Sequence, residues 1–309
     1  MKVLITGGAG FIGHHLAIYL KNLGYDVTCV DNLLRSSKEA INALRDEGIN
    51  LLVADVTDYH SLSNALKDSR PDVIVHAAAL ISVTESFIIP DEYIKCNAIG
   101  TLNAARLGCE LGIDRFIYIS SAAVYGNPIK LPIAEDHPLN PISPYGLSKL
   151  MGEEVVKLYS RICGVKYVIL RLFNVYGLRQ PLNEYSGVVR KFVERVSMGL
   201  SPIIYGDGSQ SRDFIHVTDV CRAVELSLST KAFNDVYNVG SGRPISINEL
   251  AGLIISASGL NLKPIYEAPR AGDIKHSYAD ISKICNRLGF KPSVTIEEGI
   301  KELITAHQV

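Results

Sequence analysis

A tyrosine and a lysine four residues apart are the first candidates for chemistry in this sequence. They lie in the run Tyr145-Gly146-Leu147-Ser148-Lys149. If this run is helical, residues i and i+4 share a face, and the Lys149 ammonium can lie beside the Tyr145 phenol. A phenol with a pKa of about 10 is a poor base at neutral pH, and a neighbouring cation would lower that pKa. The pair therefore predicts a general base, and the hydroxyl of Ser121 is a candidate partner for the same proton.

A glycine-rich run at the start of the chain predicts a site for a dinucleotide. Residues 6–13 contain G-x-G-x-x-G between a strand-like run and an amphipathic helical pattern, and Asp31 lies 18 residues after Gly13. Glycines permit a tight turn and a close approach of a pyrophosphate, whose charge favours a helix N-terminus. Asp31 can accept hydrogen bonds from the adenosine ribose and would repel a 2′-phosphate. This pattern favours NAD over NADP.

Short apolar runs alternate with helical patterns through the first half of the chain. Strands that are apolar throughout and separated by helices indicate a parallel sheet covered on both faces, the doubly wound α/β fold. Its strand ends would place Ser121 and the start of the Tyr145 helix at one edge, where ligands bind in such sheets. The predicted strands are 3–6, 27–30, 51–54, 73–76, 116–120 and 167–172, and the predicted helices are 58–68, 91–111 and 145–163.

The second half of the chain is less regular. A loop with five prolines spans residues 122–144, and beyond about residue 175 short elements alternate with Gly and Pro. We therefore expect an NAD-binding domain at 1–174, with a segment near 213–245 returning to it, and a smaller, mainly substrate-binding lobe at 175–309. The run Asn238-Val239-Gly240 is the candidate for a returning strand.

The composition is that of an ordinary globular protein. With 31 basic and 32 acidic side chains the net charge is −1, so neither nucleic acid nor a membrane surface is an expected partner. The six scattered cysteines include no C-x-x-C pair, and we expect small buried thiols in a reducing compartment rather than disulfides or a zinc site. The first residues read as a strand, and no apolar run is long enough for a membrane span, so a cytoplasmic protein is expected.

Together these motifs resemble the extended short-chain dehydrogenases/reductases, and among them the UDP-hexose 4-epimerases. The resemblance covers nearly the whole chain. The motifs that carry it are 6–13, 76–79, 121–126, 145–149, 171–177, 212–217 and 270–273.

The resemblance implies roles for residues at matching positions. Ser121, Tyr145 and Lys149 would be catalytic. The implied NAD-binding residues are Gly7, Gly10, Phe11, Ile12, Gly13, Asp31, Asn32, Asp55, Val56, Ala77, Ala78, Ala79, Leu80, Tyr145, Lys149 and Phe173. The implied UDP-sugar-binding residues are Ser82, Ser121, Asn174, Arg212, Arg270, Asp273 and Ser277. Arginine suits a diphosphate because its planar guanidinium can donate two parallel hydrogen bonds to phosphate oxygens.

The resemblance also limits the number of possible reactions. Dehydratases and decarboxylating members of the family carry acidic residues after the catalytic hydroxyl, whereas this chain has Ala122-Ala123. Epimerisation at carbon 4 through a 4-keto sugar is then expected. A uronic-acid 4-epimerase, a nucleotide-sugar 4-reductase and a non-catalytic NAD-binding sensor remain alternatives.

Two further positions bear on the sugar and on assembly. Ser277 falls where glucose-restricted relatives carry a tyrosine, which implies room for an N-acetyl group, whereas Ile81 replaces a lysine found in some hexose epimerases. The resemblance also implies a homodimer, in which helices such as 91–111 and 145–163 form a four-helix bundle.

Overall fold

The computed structural model describes residues 1–182, 186–269 and 274–307. The strands are β1 (Lys2–Thr6), β2 (Asp26–Asp31), β3 (Asn50–Val53), β4 (Val73–His76), β5 (Arg115–Ser121), β6 (Lys166–Leu172), β7 (Asn174–Tyr176), β8 (Ile203–Tyr205), β9 (Ser211–His216), β10 (Asp235–Val239), β11 (Pro244–Ser246), β12 (Ile265–Glu267) and β13 (His276–Ser277). The helices are α1 (Phe11–Asn22), α2 (Lys38–Asp46), α3 (Tyr59–Ser69), α4 (Val83–Ser86), α5 (Pro90–Ile94), α6 (Gly100–Leu111), α7 (Pro144–Cys163), α8 (Val188–Ser197), α9 (Val217–Ser229), α10 (Ile247–Ser258), α11 (Ser282–Leu288) and α12 (Ile296–His307).

Seven parallel strands form the main sheet, in the order β10-β6-β5-β4-β1-β2-β3. One apolar cluster packs α1, α2 and α9 against one face, and a second packs α3, α6 and α7 against the other. This confirms the doubly wound α/β fold. The returning strand is confirmed as well, because β10 pairs with β6 through residues 235–239.

Local sequence explains where the principal helix of the site begins and ends. The hydroxyl of Ser143 accepts a hydrogen bond from the backbone N–H of Gly146 at 3.0 Å, and Pro144 occupies the first turn of α7. Pro is favoured there because the first N–H groups of a helix have no partner within it. Gly164 ends α7 in the left-handed conformation, with φ +77°. The predicted helix 91–111 is α5 and α6 joined by a π-helical turn, Lys95–Ile99.

A second lobe packs beside the main sheet. Strand β9 pairs with β7, β11 and β13, and a separate apolar cluster joins α8, α10 and α12. This lobe receives residues from several separate parts of the chain. The boundary at residue 174 stays a prediction.

One cysteine pair differs from the expectation of free thiols. Cys109 and Cys163 form a disulfide between the last turns of α6 and α7, with their Cα atoms 5.8 Å apart. That expectation was wrong for this pair because α6 and α7 lie side by side and both run antiparallel to the strands, so their C-termini meet. Nothing in residues 109–163 indicates this by spacing. Among the described helices, none has the length and apolar character needed to cross a membrane.

Candidate active site

The glycine run forms the turn between β1 and α1. Gly7 has φ +68°, and a Cβ at this position would lie 2.7 Å from the backbone of Ala78, so only glycine fits. A Cβ at Gly13 would collide with the Gly7 carbonyl. Gly10 caps the helix, so Phe11 and Ile12 form its first turn, where backbone N–H groups have no helical partner. The turn can therefore present N–H donors to a pyrophosphate.

Asp31 is the last residue of β2, and its side chain forms hydrogen bonds with the neighbouring loops. Its carboxylate accepts hydrogen bonds from the backbone N–H groups of Ala9 at 3.0 Å and Leu33 at 2.8 Å. The side-chain amide of Asn32 donates to the carboxylate of Asp55 at 3.0 Å, which joins the loops after β2 and β3. The predicted ribose-binding residues therefore lie together at the carboxyl edge of the sheet.

A cavity of about 410 Å³ opens along this edge. Of the residues predicted to bind NAD, its lining includes Gly7, Gly10, Asp31, Asn32, Asp55, Val56, Ala77, Ala78, Ala79 and Leu80. The cavity combines the carboxylates of Asp31 and Asp55, the N-terminus of α1 and apolar walls, and this combination suits an adenosine diphosphate. Phe173 lies outside this lining, in a buried cluster with Val124, Tyr125, Ile133 and Ala279.

Tyr145 and Ser121 meet at the end of β5. Tyr145 lies in the first turn of α7 and is 9% exposed, and its ring packs edge-on against Tyr93 at 6.2 Å between centroids. Burial raises the pKa of Tyr145, and a hydrogen bond with the Ser121 side chain lowers it in part. The prediction that Lys149 brings this pKa below its usual value is not met, because burial outweighs the hydrogen bond with Ser121 and Lys149 is not among the groups that lower the pKa.

Lys149 is 3% exposed and faces the core side of α7. Its Nζ lies 4.5 Å from the centre of the Tyr118 ring. Burial lowers the pKa of Lys149 to about 8, opposed by Cys96 and Glu153. The ammonium is thus largely protonated at neutral pH and titrates just above it.

Asn97 is a buried residue that sequence reasoning did not single out. Its amide Nδ2 donates to the Leu80 carbonyl at 2.9 Å and to the Ser148 hydroxyl at 2.9 Å, and its Oδ1 accepts from the Leu80 N–H at 2.8 Å. Asn97 therefore holds the Ala77–Leu80 segment against α7. The only local signal is its place in the π-helical turn, a feature often found at functional sites.

Ser82 caps α4 rather than projecting freely. Its hydroxyl accepts from the Glu85 N–H at 3.1 Å, and its own N–H donates to the Tyr93 hydroxyl at 2.9 Å. Glu85 in turn accepts two hydrogen bonds from Arg35, at 2.8 and 3.0 Å. This ion pair joins the loop after β2 to the segment after β4, across the end of β1, and sequence spacing gives no sign of it.

Three of the residues predicted to bind the substrate, Asn174, Arg212 and Ser277, lie on the neighbouring strands β7, β9 and β13. Asn174 is exposed, and its side chain donates to the Asp213 carbonyl at 2.9 Å. Ser277 is the direct register neighbour of Arg212. The buried Asp213 carboxylate on β9 accepts a hydrogen bond from the Ala279 N–H at 3.1 Å, which holds the segment after β13 against β9. The predictions for Arg270 and Asp273 lie outside the described residues.

Comparison with known proteins identifies the family. The model for the NAD dependent epimerase/dehydratase family matches residues 3–240. The chain belongs to this family. It is 42% identical to a putative UDP-glucose 4-epimerase of Methanocaldococcus jannaschii over 98% of this chain and 97% of that protein.

Solved structures of the family agree with the fold along the whole chain. A UDP-glucose 4-epimerase from Thermotoga maritima, solved with UDP-glucose, superposes with a TM-score of 0.95 at 36% identity, covering 100% of this chain and 99% of that one. A UDP-N-acetylglucosamine 4-epimerase from Methanobrevibacter ruminantium, in complex with UDP-N-acetylmuramic acid, gives 0.92 at 37%, covering 98% and 97%.

Proposed function

We propose that the protein is an NAD-dependent UDP-sugar 4-epimerase that interconverts UDP-glucose and UDP-galactose. The observation that carries the proposal is the contact between Tyr145 and Ser121 beside a buried Lys149, at the same edge of the sheet as the cavity lined by predicted NAD-binding residues. The similarity to UDP-glucose 4-epimerases over nearly the full chain supports it.

The NAD-binding residues would divide the cofactor between them. The turn with Gly7, Gly10 and Gly13, followed by Phe11 and Ile12, would hold the pyrophosphate, and Asp31 and Asn32 the adenosine ribose. Asp55 and Val56 would flank the adenine, while residues 77–80 and Phe173 would lie along the rest of the cofactor. When bound, NAD accepts a hydride from carbon 4 of the sugar and returns it.

The chain's own residues would move the proton. Tyr145 would take the proton of the sugar 4-hydroxyl, and Ser121, which already hydrogen-bonds Tyr145, would orient that hydroxyl. Lys149 would stabilise the phenolate by its charge. Return of the proton to the new alcohol leaves no net change in oxidation state.

The two residues after Ser121 favour epimerisation over dehydration. They are Ala122 and Ala123, in a short 3₁₀ turn, and neither methyl group can donate or accept a proton. A dehydratase needs a second acid and base to eliminate water. The substrate would instead be held by Asn174, Arg212 and Ser82, with Arg270 and Asp273 assigned by motif alone.

The test is a cofactor assay followed by a substrate screen. Protein purified without added nucleotide should release NAD on denaturation, and it should interconvert UDP-glucose and UDP-galactose. The matched control is Tyr145→Phe, which should keep the fold and the NAD but lose about 10²–10⁴-fold in kcat. Wild type that binds NAD but converts no UDP-hexose would contradict the proposal, and near-normal turnover in Tyr145→Phe would contradict the mechanism.

We further propose that N-acetylated sugars are substrates. Ser277 lies beside Arg212 with a short, half-buried side chain, which is smaller than the tyrosine of the glucose-restricted relatives. Ser277→Tyr should suppress turnover of UDP-N-acetylglucosamine selectively, because an added ring overfills a fixed pocket. Parallel kinetics on UDP-glucose provide the comparison. Equal losses on both sugars, or a wild type inert toward the N-acetyl sugar, would exclude this role for Ser277.

A homodimer is proposed from the outer face of α7. Leu147, Met151, Leu158 and Ile162 form an exposed apolar stripe along it, 37–64% exposed. A second copy of the chain would cover this stripe. Leu158→Glu should then lower the mass measured by light scattering to that of a monomer, whereas Leu200→Glu, a similarly exposed position beyond α8, should not.

Two broader assignments accompany this function. We assign residues 1–174, with the returning segment near 213–245, to cofactor binding, and residues 175–309 mainly to the nucleotide sugar. We also place the enzyme in the cytoplasm, where NAD and nucleotide sugars are available together. Fractionation of cells with an antibody to the protein would test the location.

A further inference from the structure

A buried ion pair lies directly behind the candidate active site. Glu153 on α7 is fully buried and Arg171 on β6 is 2% exposed. Arg171 donates from Nε to Oε1 at 2.9 Å and from Nη2 to Oε2 at 2.7 Å, while the Ser120 hydroxyl donates to Oε1 at 2.6 Å. Burying two charges is costly even when they are paired, and apolar residues of similar size often serve stability equally well. The arrangement therefore calls for a reason beyond stability.

The sheet places both partners of Glu153 side by side. Ser120 and Arg171 are direct register neighbours on β5 and β6, so both side chains reach α7 from one face of the sheet. On α7, Glu153 lies one turn beyond Lys149 and two turns beyond Tyr145, on the same helix face. The hydrogen bonds of Glu153 with Ser120 and Arg171, called the clamp below, therefore fix the rotation of α7 and its position along the sheet. The clamp also holds β5 at the residue preceding Ser121.

The network continues to the turn after Ser121. Arg171 donates from Nη1 to the Tyr125 hydroxyl at 3.0 Å, and that hydroxyl donates to Oδ1 of Asn238 at 2.7 Å. The Arg171 guanidinium also lies over the Tyr125 ring, 4.9 Å from its centre. The guanidinium of Arg171 on β6 thus connects α7 with the segment after Ser121, and Glu153 extends the network to β5.

The clamp also contributes to the electrostatic environment of Lys149, in which burial has the largest effect. The groups facing this lysine are the Tyr118 ring from β5, His76 from β4, Cys96 from the π-helical turn and Glu153 from α7 itself. Burial and Lys149 hold the pKa of His76 at about 3, so His76 is neutral, and burial raises the pKa of the Cys96 thiol. Cys96 and Glu153 both raise the pKa of Lys149 against the effect of burial, and Glu153 does so from the same face of α7. Arg171, at 2.7 Å, and Lys157, at 3.9 Å on the outer side, are the cations paired with the Glu153 carboxylate.

We propose that Glu153 is a positioning residue for the reaction: clamped by Ser120 and Arg171, it holds Tyr145 and Lys149 against Ser121 and keeps Lys149 charged. The inference rests on the proposed function, since it assigns Tyr145 and Lys149 the chemistry given above. It differs from a purely structural role in one respect. The charge and shape of the clamp, rather than the stability it contributes, determine the rate.

The first test is Glu153→Gln, with Asp219→Asn as its matched control. Asp219 is equally buried and accepts from Ser293, Val294 and Arg222 away from the site. Both variants should lose stability. Glu153→Gln alone should lower kcat at least tenfold with KM and bound NAD little changed, and move the alkaline limb of the kcat profile down by about one pH unit. Glu153→Asp, which keeps the charge, should restore that limb.

A second readout does not depend on turnover. In protein labelled with ¹³C-lysine, the Lys149 resonance is assigned by its loss in Lys149→Met, and its midpoint should lie near 8 in wild type. It should fall in Glu153→Gln and stay in Asp219→Asn. A wild-type protein that converts no UDP-hexose would contradict the proposed function. The titration of Lys149 would still test the effect of the clamp in that case. An unchanged midpoint would overturn the electrostatic part of the proposal.

A double variant separates positioning from stability. Replacing Glu153 and Arg171 together by Met leaves no unpaired buried charge, so the protein should fold with stability near that of wild type. We expect this folded, NAD-containing protein to lose at least tenfold in kcat. Wild-type kcat in the double variant would overturn the positioning role. If Glu153→Gln alone fails to fold, the double variant and Ser120→Ala, expected to reduce kcat severalfold at constant KM, carry the test.

Discussion

Replacing Lys149 by Met should stabilise the folded protein at neutral pH while it abolishes the proposed reaction. Lys149 is 3% exposed, and burial lowers its pKa from 10.5 to about 8. In the unfolded chain the ammonium is fully hydrated. Holding the charged form inside the protein therefore costs free energy, and a methionine of similar length removes that cost.

The magnitude comes from the displaced pKa. At about 1.4 kcal/mol per pKa unit, the fall from 10.5 to about 8 corresponds to about 3 kcal/mol. Loss of the contact with the Tyr118 ring offsets about 1 kcal/mol of this. At pH 7 we expect Lys149→Met to raise the free energy of unfolding by about 2 kcal/mol.

The sign of the pH dependence is fixed by the same pKa. Between about pH 8 and pH 10.5 the unfolded wild type holds a proton on Lys149 that the folded protein has released, so wild-type stability rises with pH across this window. The variant has no such group. Its advantage should therefore be greatest below pH 8 and should shrink by about 3 kcal/mol toward pH 10.5.

Urea unfolding of both proteins from pH 7 to pH 10, at equal protein concentration and equal NAD content, measures this difference directly. Subtracting the two curves cancels the other titrating groups. A variant less stable than wild type at pH 7, or a difference that does not change with pH, would refute the placement of a costly buried ammonium at this position.

Three further outcomes concern the cofactor site. Because Asp31 is proposed to hold the adenosine ribose, the protein should bind NAD at least tenfold more tightly than NADP, a difference of about 1.4 kcal/mol, and equal affinities by titration would count against this role. Glu85→Gln weakens the ion pair with Arg35, so the Arg35 guanidinium can turn to the 2′-phosphate and the same titration should show improved NADP affinity. An unchanged ratio of NAD to NADP affinity would exclude competition between Glu85 and the 2′-phosphate for this guanidinium. Gly7→Ala should lose bound NAD, whereas Gly112→Ala, with a similar φ of +66° but open space around it, should show only the cost of backbone strain in its melting temperature. Full NAD occupancy in Gly7→Ala would contradict the close approach.

The sequence alone determined the parts of this protein that depend on local pattern. Short, continuous apolar runs located β1 to β6, and the helical patterns between them located α3 and α7. The glycine spacing located the turn after β1, because a left-handed Gly7 and a crowded Gly13 leave glycine as the only residue that fits. The return of β10 to the sheet was also readable, although its partner β6 was not.

Only the tertiary structure decided the features that depend on how distant segments meet. Glu85 reaches Arg35 because the strands after which they lie flank β1, and Cys109 meets Cys163 because two helices end side by side. The pKa of Lys149 could not be predicted from the sequence for the same reason. Spacing shows that Tyr145 and Lys149 share a face, but the balance between burial and neighbouring charge depends on how tightly that face packs against the sheet. Local patterns specify elements and motifs, whereas dehydration and ion pairing arise only where those elements pack together.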